Sequence, residues 1–283
     1  MKFGIVVDSG CDITNIEMVS NEKIEFNRAA LKLQVGDKEF IDDFNLNVKE
    51  FMKEMTEYKG KTGSAAPSPG DWYKFYEQSD NVFAVTITGA LSGSYASAQV
   101  AKNMLLEKHP EKNIHLIDSK SAGPEITLIV YKLVNLIAQG LEFEEIVEEI
   151  EKYRKHTNLL FVLESLDNLV KNGRVSKVQG AMAGLLGIKI MGCASEEGML
   201  EVLKKSRGKL SAYDKAVEEM ISRGYKGAKV IISHCFNDER AEYLKSIIKD
   251  KYPKAEIKIM ATSGLCSYYA EKGGILIGFE DFE

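Results

Sequence analysis

Proline is scarce in this chain, five residues in 283, and tryptophan occurs once. Collagen-like and proline-rich disordered architectures are thereby excluded. Cysteine is sparse too: Cys11, Cys193, Cys235 and Cys266 are scattered, with no C-x-x-C pair. That argues against a disulfide-stapled miniprotein and makes free thiols in a reducing cytoplasm the expectation. No run of about 18 uncharged apolar residues exists, so stable membrane insertion is not expected. The nearest approach, 126–138, is broken by Lys132. The opening Met-Lys-Phe-Gly-Ile-Val-Val-Asp meets a charge too soon for a signal peptide. Cationic excess is also missing: 37 Lys and Arg stand against 42 Asp and Glu, a net charge of −5. A partner made of phosphates needs a basic stripe, so nucleic acid is not an expected partner.

Several catalytic signatures are absent as well. There is no G-x-x-x-x-G-K-[ST] loop and no G-x-G-x-x-G after a strand, so no nucleotide cofactor is expected. There is no G-x-S-x-G elbow. His109, His115, His156 and His234 do not fall in a metal-ligand spacing, and no metal is expected. His234 follows a strand and is read as ordinary structure. Ser206 and Ser246 each precede a lysine by three residues, a pattern that occurs by chance without its companion motifs.

What is present is the composition of a globular protein, 45% hydrophobic and 28% charged. At roughly 150 residues per domain the length suggests two domains. In the first half, strand-like and helix-like segments alternate. Strands are expected over 3–7, 81–88 and 114–117, and helices over 48–58, 91–107, 121–139 and 143–156. Gly36-Asp37 between 31–35 and 38–41 signals a hairpin. This alternation predicts an α/β fold: an N-terminal, mostly parallel sheet with helices on both faces. After 157 the pattern changes to strands at 159–163, 188–191, 199–203, 229–233, 256–260 and 274–279. Helices fall between them, at 165–170, 175–185, 210–223 and 239–249. A C-terminal α/β domain with a mixed or antiparallel sheet is expected over 158–283, following a first domain at 1–157.

Chemistry concentrates in small, hydroxyl-rich turns. Asp8-Ser9-Gly10-Cys11-Asp12 follows the first strand. Thr62-Gly63-Ser64 through Ser68-Pro69-Gly70-Asp71 precedes a helix. Gly89 through Ser92-Gly93-Ser94-Tyr95 joins a strand to the next helix, and Asp118-Ser119-Lys120-Ser121 follows another strand. In an open parallel sheet such turns lie at the carboxyl ends of strands, where ligands bind. Ser68 and Ser92 are placed to cap helices, whose free N–H groups favour anions. The turns carry donors but no evident nucleophile–base pair, which favours holding an anionic group over reacting with it. A subset of Leu159, Leu160, Phe161, Leu185, Leu186, Ile188, Ile190 and Met191 would then line an apolar slot between the two domains.

Taken in order, these motifs resemble the DegV family, the fatty-acid-binding (FakB-like) subunits of bacterial fatty-acid kinase. The resemblance rests on Val6-Val7-Asp8-Ser9, Pro67-Ser68-Pro69-Gly70-Asp71, Leu91-Ser92-Gly93-Ser94-Tyr95, Ile117-Asp118-Ser119-Lys120-Ser121 and Asn172-Gly173-Arg174-Val175-Ser176-Lys177. It implies a two-domain α/β protein that buries one long-chain fatty acid between its domains and holds the carboxylate with hydroxyls from two loops. Those positions map to Ser64, with Thr62 as a rival, and to Ser92 beside Gly93. The family's basic residue maps to Arg174, and Arg207 resembles a position near the head group or the kinase-docking face. Two departures stand out. The family's Ser-Gln is Ala65-Ala66 here, and the histidine that many members carry near the C-terminus is missing from 267–274. A tyrosine hydroxyl from that segment, or a different hold on the head group, has to replace it.

Three functional readings follow. The leading one is a non-catalytic carrier that presents a fatty-acid carboxylate to a separate ATP-dependent kinase catalytic subunit. The second is a phosphotransferase or hydrolase acting on a small anion. The third is a lipid sensor or transporter with no kinase partner.

Overall fold

The computed structural model describes residues 2–175, 188–208 and 211–282. The first half supplies β1 (Phe3–Asp8), β2 (Ile24–Ala29), β3 (Lys32–Val35), β4 (Lys38–Ile41), α1 (Val48–Glu57), β5 (Thr62–Ala65) and α2 (Pro69–Tyr76). It continues with β6 (Asn81–Thr86), α3 (Ser94–Lys108), β7 (Asn113–Asp118), α4 (Pro124–Ala138) and α5 (Phe143–Tyr153). Strands β2-β1-β6-β7 form a wholly parallel sheet. Side chains alternate across a strand, so a sheet covered on both faces reads as a continuous apolar run. Ile5, Val7, Phe83 and Val85 pack with Ile126 and Ile129 of α4 and Ile146 of α5. Val6, Val82 and Ala84 face the other way, against Trp72 of α2 and Ala98 and Leu105 of α3.

The second half supplies β8 (Thr157–Leu163), α6 (Asp167–Lys171), β9 (Ile188–Ala194), β10 (Leu200–Arg207), α7 (Ser211–Ser222) and β11 (Val230–His234). It ends with α8 (Asp238–Lys251), β12 (Ile257–Ala261), α9 (Gly264–Ala270) and β13 (Ile275–Glu280). These strands build a six-stranded mixed sheet in the order β10-β9-β8-β13-β11-β12. Only β11 and β12 pair in parallel. The molecule is therefore an α/β fold with a parallel N-terminal and a mixed C-terminal sheet. The expected helix at 175–185 lies outside the described residues except for Val175, which forms an isolated bridge to Leu200. Leu185 and Leu186 lie outside them as well.

Several boundaries differ from those the sequence suggests. The helix expected over 121–139 begins at Pro124, because Gly123 adopts φ +62° and breaks the turn before it. The helix expected over 91–107 begins at Ser94, because the N–H groups of Leu91 and Ser92 fold back onto the Thr88 carbonyl. Thr62–Ala65 is not a turn at the end of a parallel strand. It is β5, paired antiparallel with β3 in a separate sheet of order β4-β3-β5. The other three hydroxyl-rich turns do follow β1, β6 and β7.

Helix α4 lies directly on β13. A Cβ at Gly278 would stand 2.7 Å from the backbone of Pro124 and Glu125, so this close approach requires glycine. At the same place Glu125 is buried and accepts a hydrogen bond from Thr157 Oγ1 at 2.8 Å. Burial pushes its carboxyl up to about 7, against opposing hydrogen bonds from Ser121 and Thr157.

Because that folded-state value exceeds the ordinary 4.5, this carboxyl favours folding most below pH 4.5 and loses the contribution as pH rises through about 7. Glu125→Gln is expected to flatten the wild-type fall in stability across that window. The difference in slope should be on the order of 1 kcal/mol per pH unit, read from urea unfolding at a series of pH values. Parallel slopes for the two proteins would contradict it. Gly278→Ala should destabilise by about 1–3 kcal/mol at unchanged m-value, because neither neighbour is a side chain able to swing aside.

Candidate functional site

The turn after β6 is built before any ligand arrives. Asp8, fully buried at the end of β1, accepts the backbone N–H groups of Gly10 and Ile87, each at 2.9 Å, and the Ser94 hydroxyl at 2.5 Å. Burial pushes its carboxyl up to about 6; the Ser94, Ile87 and Gly10 hydrogen bonds and the Arg28 charge pull the other way. This ties the first turn of α3 to β1. Ser92 precedes the helix and is not its cap: the cap position is Gly93, without a side-chain bond. The Ser92 Oγ accepts the Ser94 N–H, at 3.2 Å. Ser68, by contrast, is fully used as a cap, in a reciprocal box with Asp71 at the start of α2.

Helix α9 is fixed in the same manner. Asp42 accepts the N–H groups of Gly264 at 3.0 Å and Leu265 at 2.6 Å, and Asp12 accepts that of Ser263 at 2.8 Å. Burial raises Asp42 to about 6, with Arg28 the main opposing influence. Two tyrosines from this helix meet β5. Ser64 Oγ lies 2.9 Å from the Tyr269 hydroxyl, and Thr62 Oγ1 lies 2.8 Å from that of Tyr268. Thr62 and Ser64 are two residues apart and so share one face of the strand. Burial holds the Tyr269 hydroxyl above the usual tyrosine range, partly offset by Ser64 and by the charge of Arg174.

Ser64, Ser92, Gly93, Arg174 and Tyr269 all line one cavity, which holds about 810 Å³ of empty space, part of it open to solvent. Its walls are apolar. Leu159, Phe161 and Leu163 come from one face of β8, and Leu276 from β13. Leu31 and Ile87 face them from the first half, with Leu265 and Cys266 from α9. Arg174 lines the cavity too, and its guanidinium donates to the Leu91 carbonyl at 3.3 Å and to the Asn172 carbonyl. A second cleft, of about 750 Å³, shares Leu91, Ser92, Gly93 and Arg174 with the cavity and so lies directly outside this polar end. The arrangement offers three hydroxyls and a fixed cation to an anionic head, and a long apolar space to whatever is attached to it.

The structure thus brings Ser64, Ser92, Gly93 and Arg174 together. Thr62 is turned to Tyr268 and does not line the cavity. Arg207 is exposed on β10 and does not line it either. Leu160 and Met191 point into a different core. His234 is buried against the Asn237 N–H, away from the site. Sequence reasoning missed α9 as a helix and missed the walls given by Leu31, Leu163 and Leu265. The Tyr268-Tyr269 pair in the segment that lacks the family's histidine was the available signal for the hydroxyls. All four cysteines are buried and free. Among the described residues no helix is long and apolar enough to cross a membrane, and no group of three His, Cys, Asp or Glu side chains could hold a metal ion.

Comparison with known proteins gives concordant results. The family model described as "Uncharacterised protein, DegV family" matches residues 2–280. A DegV domain-containing protein of Streptococcus gordonii is 48% identical over 280 residues, covering 99% of each chain. The crystal structure of the Streptococcus pneumoniae fatty acid kinase B3 protein, loaded with linoleic acid, is 46% identical and covers 100% of both chains at a TM-score of 0.96. A DegV family protein from Eubacterium eligens, loaded with heptadecanoic acid, is 36% identical with a TM-score of 0.93, covering 99% of this chain and 100% of its own. With the model and these relatives matched along nearly its entire length, the chain belongs to the DegV family.

Proposed function

We propose that this protein binds a long-chain fatty acid between its two halves, 1–157 and 158–283, and presents the carboxylate to a separate ATP-dependent kinase. The observation that carries this reading is one largely apolar cavity whose polar lining residues, Ser64, Ser92, Arg174 and Tyr269, come from four separate segments of the chain. The relatives loaded with linoleic and heptadecanoic acid support the choice of ligand. The name of the pneumococcal relative, a fatty acid kinase B3 protein, supports the choice of partner.

The energetics divide cleanly. Burying a methylene contributes about 0.8 kcal/mol, so a sixteen-carbon tail offers on the order of 12 kcal/mol before the cost of immobilising it. A hydrogen bond to a charged group contributes about 1.5–3 kcal/mol, against the desolvation of the carboxylate. The tail therefore supplies affinity. The hydroxyls and Arg174 prevent an unpaired buried charge and fix the orientation of the head. The cleft outside Ser92 and Gly93 leaves the carboxylate end approachable by a partner. On this reading the chain itself transfers no group, and the kinase brings the nucleotide.

Lipid extraction and mass spectrometry of the purified protein test the ligand, and adding kinase, ATP and fatty acid tests the partnership. A co-purified fatty acid that is never phosphorylated would favour a sensor or transporter. Replacing both Ser64 and Ser92 by Ala removes two charge-assisted bonds. Affinity measured with a labelled fatty acid is expected to fall by roughly 10- to 100-fold for each; an unchanged affinity and head-group position would refute the site. Arg207→Ala should leave fatty-acid affinity as it is and slow acyl phosphate formation with the kinase. Equal rates for variant and wild type would remove Arg207 from the docking face.

A further inference from the structure

Strand β5, which carries Ser64, is the edge of its sheet: the order β4-β3-β5 leaves its outer side without a strand partner among the described residues. What covers that side comes from the second half of the chain. Ser64 Oγ meets the Tyr269 hydroxyl at 2.9 Å, and Thr62 Oγ1 meets that of Tyr268 at 2.8 Å. The two ties differ. Ser64 and Tyr269 line the cavity, so a carboxylate seated there competes for their hydroxyls. Tyr268 is fully buried and does not line the cavity, so its tie to Thr62 survives when a ligand arrives. The Tyr268 hydroxyl also accepts a hydrogen bond from Asn172 Nδ2 at 3.0 Å. Asn172 closes the end of α6, and its carbonyl accepts the Arg174 guanidinium. A Cβ at Gly63 would stand 3.7 Å from Asn172 Oδ1, so the end of α6 lies against β5 itself.

From this arrangement we infer that Tyr268 is a positioning residue of the head-group site: its hydroxyl fixes β5, with Ser64, to the end of α6, with Arg174, while the carboxylate is held. The inference rests on the fatty-acid reading above and deepens it. Without the hydroxyl, one Asn172 N–H and the Thr62 hydroxyl lose their shared partner. Helix α6 stays docked, because its start is held elsewhere. Glu271 accepts the Ser165 hydroxyl at 2.9 Å and the Asn168 N–H at 3.1 Å, and Asn168 Nδ2 donates to the Tyr268 carbonyl at 2.8 Å. The Tyr268 ring keeps its packing on Phe51 and Tyr269, whose centroids lie 6.3 and 4.8 Å away. What is released is the spacing between Ser64 and Arg174. In the transfer a carboxylate oxygen bonds to the γ-phosphorus of the kinase's ATP as the bond to ADP breaks, and that oxygen has to be held in line. A looser head group therefore still binds, because the tail supplies the affinity, but it reacts slowly.

Palmitic acid labelled with carbon-13 at the carboxyl carbon, or at the methyl end, reports the two ends separately by NMR of the loaded protein. Tyr268→Phe should shift and broaden the carboxyl resonance, leave the methyl resonance as in wild type and change fatty-acid affinity by less than about threefold. With kinase and ATP, kcat should fall by roughly tenfold while KM for the loaded protein stays constant. Thr62→Val should reproduce both effects, and adding it to Tyr268→Phe should cost little more, because the two hydroxyls form one contact. Thr62→Ser, which keeps the hydroxyl, should behave as wild type. Should Tyr268→Phe fail to fold, Thr62→Val decides alone; should wild type bind the acid without serving the kinase, the resonances decide. A wild-type carboxyl resonance or kcat in Tyr268→Phe and Thr62→Val, or a methyl resonance that moves equally, overturns the inference and leaves fatty-acid binding standing. Wild-type protein that takes up no labelled acid would instead overturn the reading on which it rests.

Discussion

Two buried carboxylates, Asp8 and Asp42, hold the site in place. Each accepts two backbone N–H groups, and Asp8 takes the Ser94 hydroxyl besides. A buried carboxylate without partners costs several kcal/mol, so these groups are stable only while the segments that donate to them stay where they are. The dependence runs both ways: the turn carrying Ser92 is held by Asp8, and the helix carrying Tyr269 is held by Asp42. Arg28 supplies the counter-charge, with one nitrogen 4.0 Å from Asp42 and another donating to the carbonyls of Cys11 and Ile13. The hydroxyls that face the cavity are thereby positioned by bonds that no ligand has to provide. Such preorganisation lowers the cost of binding, because few groups remain to be ordered when a guest arrives.

The cavity has to satisfy two opposed demands in the proposed function. A long tail needs a dry space, and a carboxylate needs polar partners. The fold meets them by drawing wall and mouth from different structures. The wall comes chiefly from one face of β8 together with Leu276 on β13, inside a six-stranded sheet whose strands are paired on both sides there. The mouth comes from chain ends: a short edge strand, the start of α3, the residues after α6 and the short helix α9. A rigid sheet suits a surface that only has to be apolar and continuous. Loops and helix ends suit a place where N–H groups, hydroxyls and a guanidinium must point inward.

How much of this the sequence shows follows from the range of each interaction. The hairpin at Gly36-Asp37 is legible because one glycine and one turn residue determine it locally. The parallel strands β1 and β6 are legible because burial on both faces leaves an apolar run. Strand β5 is not. Thr-Gly-Ser-Ala lacks the bulky apolar residues of a strand and is extended only because β3 lies beside it. Helix α9 is equally hidden: its first turn is fixed by Asp42, more than two hundred residues earlier in the chain. The Ser64–Tyr269 contact, at a separation of 205 residues, has no local signal at all. Ser64 and Ser92 could be proposed because hydroxyls in small-residue turns are unusual enough to notice. The tyrosine hydroxyl that completes the group becomes visible only once the two halves are folded together.

In the proposed function the site holds its guest without altering it, and the same geometry bears on that role. Cys266 lines the cavity, but burial raises its thiol well above the ordinary range, with the negative field of Asp12 adding to the effect, so a thiolate is disfavoured there. Asp8, a carboxyl whose raised value would suit a base, is turned toward Ser94, Ile87 and Gly10, with its oxygens already engaged. Ser64 and Tyr269 are bonded to each other, and among the described residues neither is hydrogen-bonded to a histidine or carboxylate that could draw its proton away. An anion placed among these groups meets donors and a positive charge, which stabilise a carboxylate as it stands. In the proposed function its activation comes from an electrophile delivered from outside, and the cleft lined by Ser92 and Gly93 offers room for that approach.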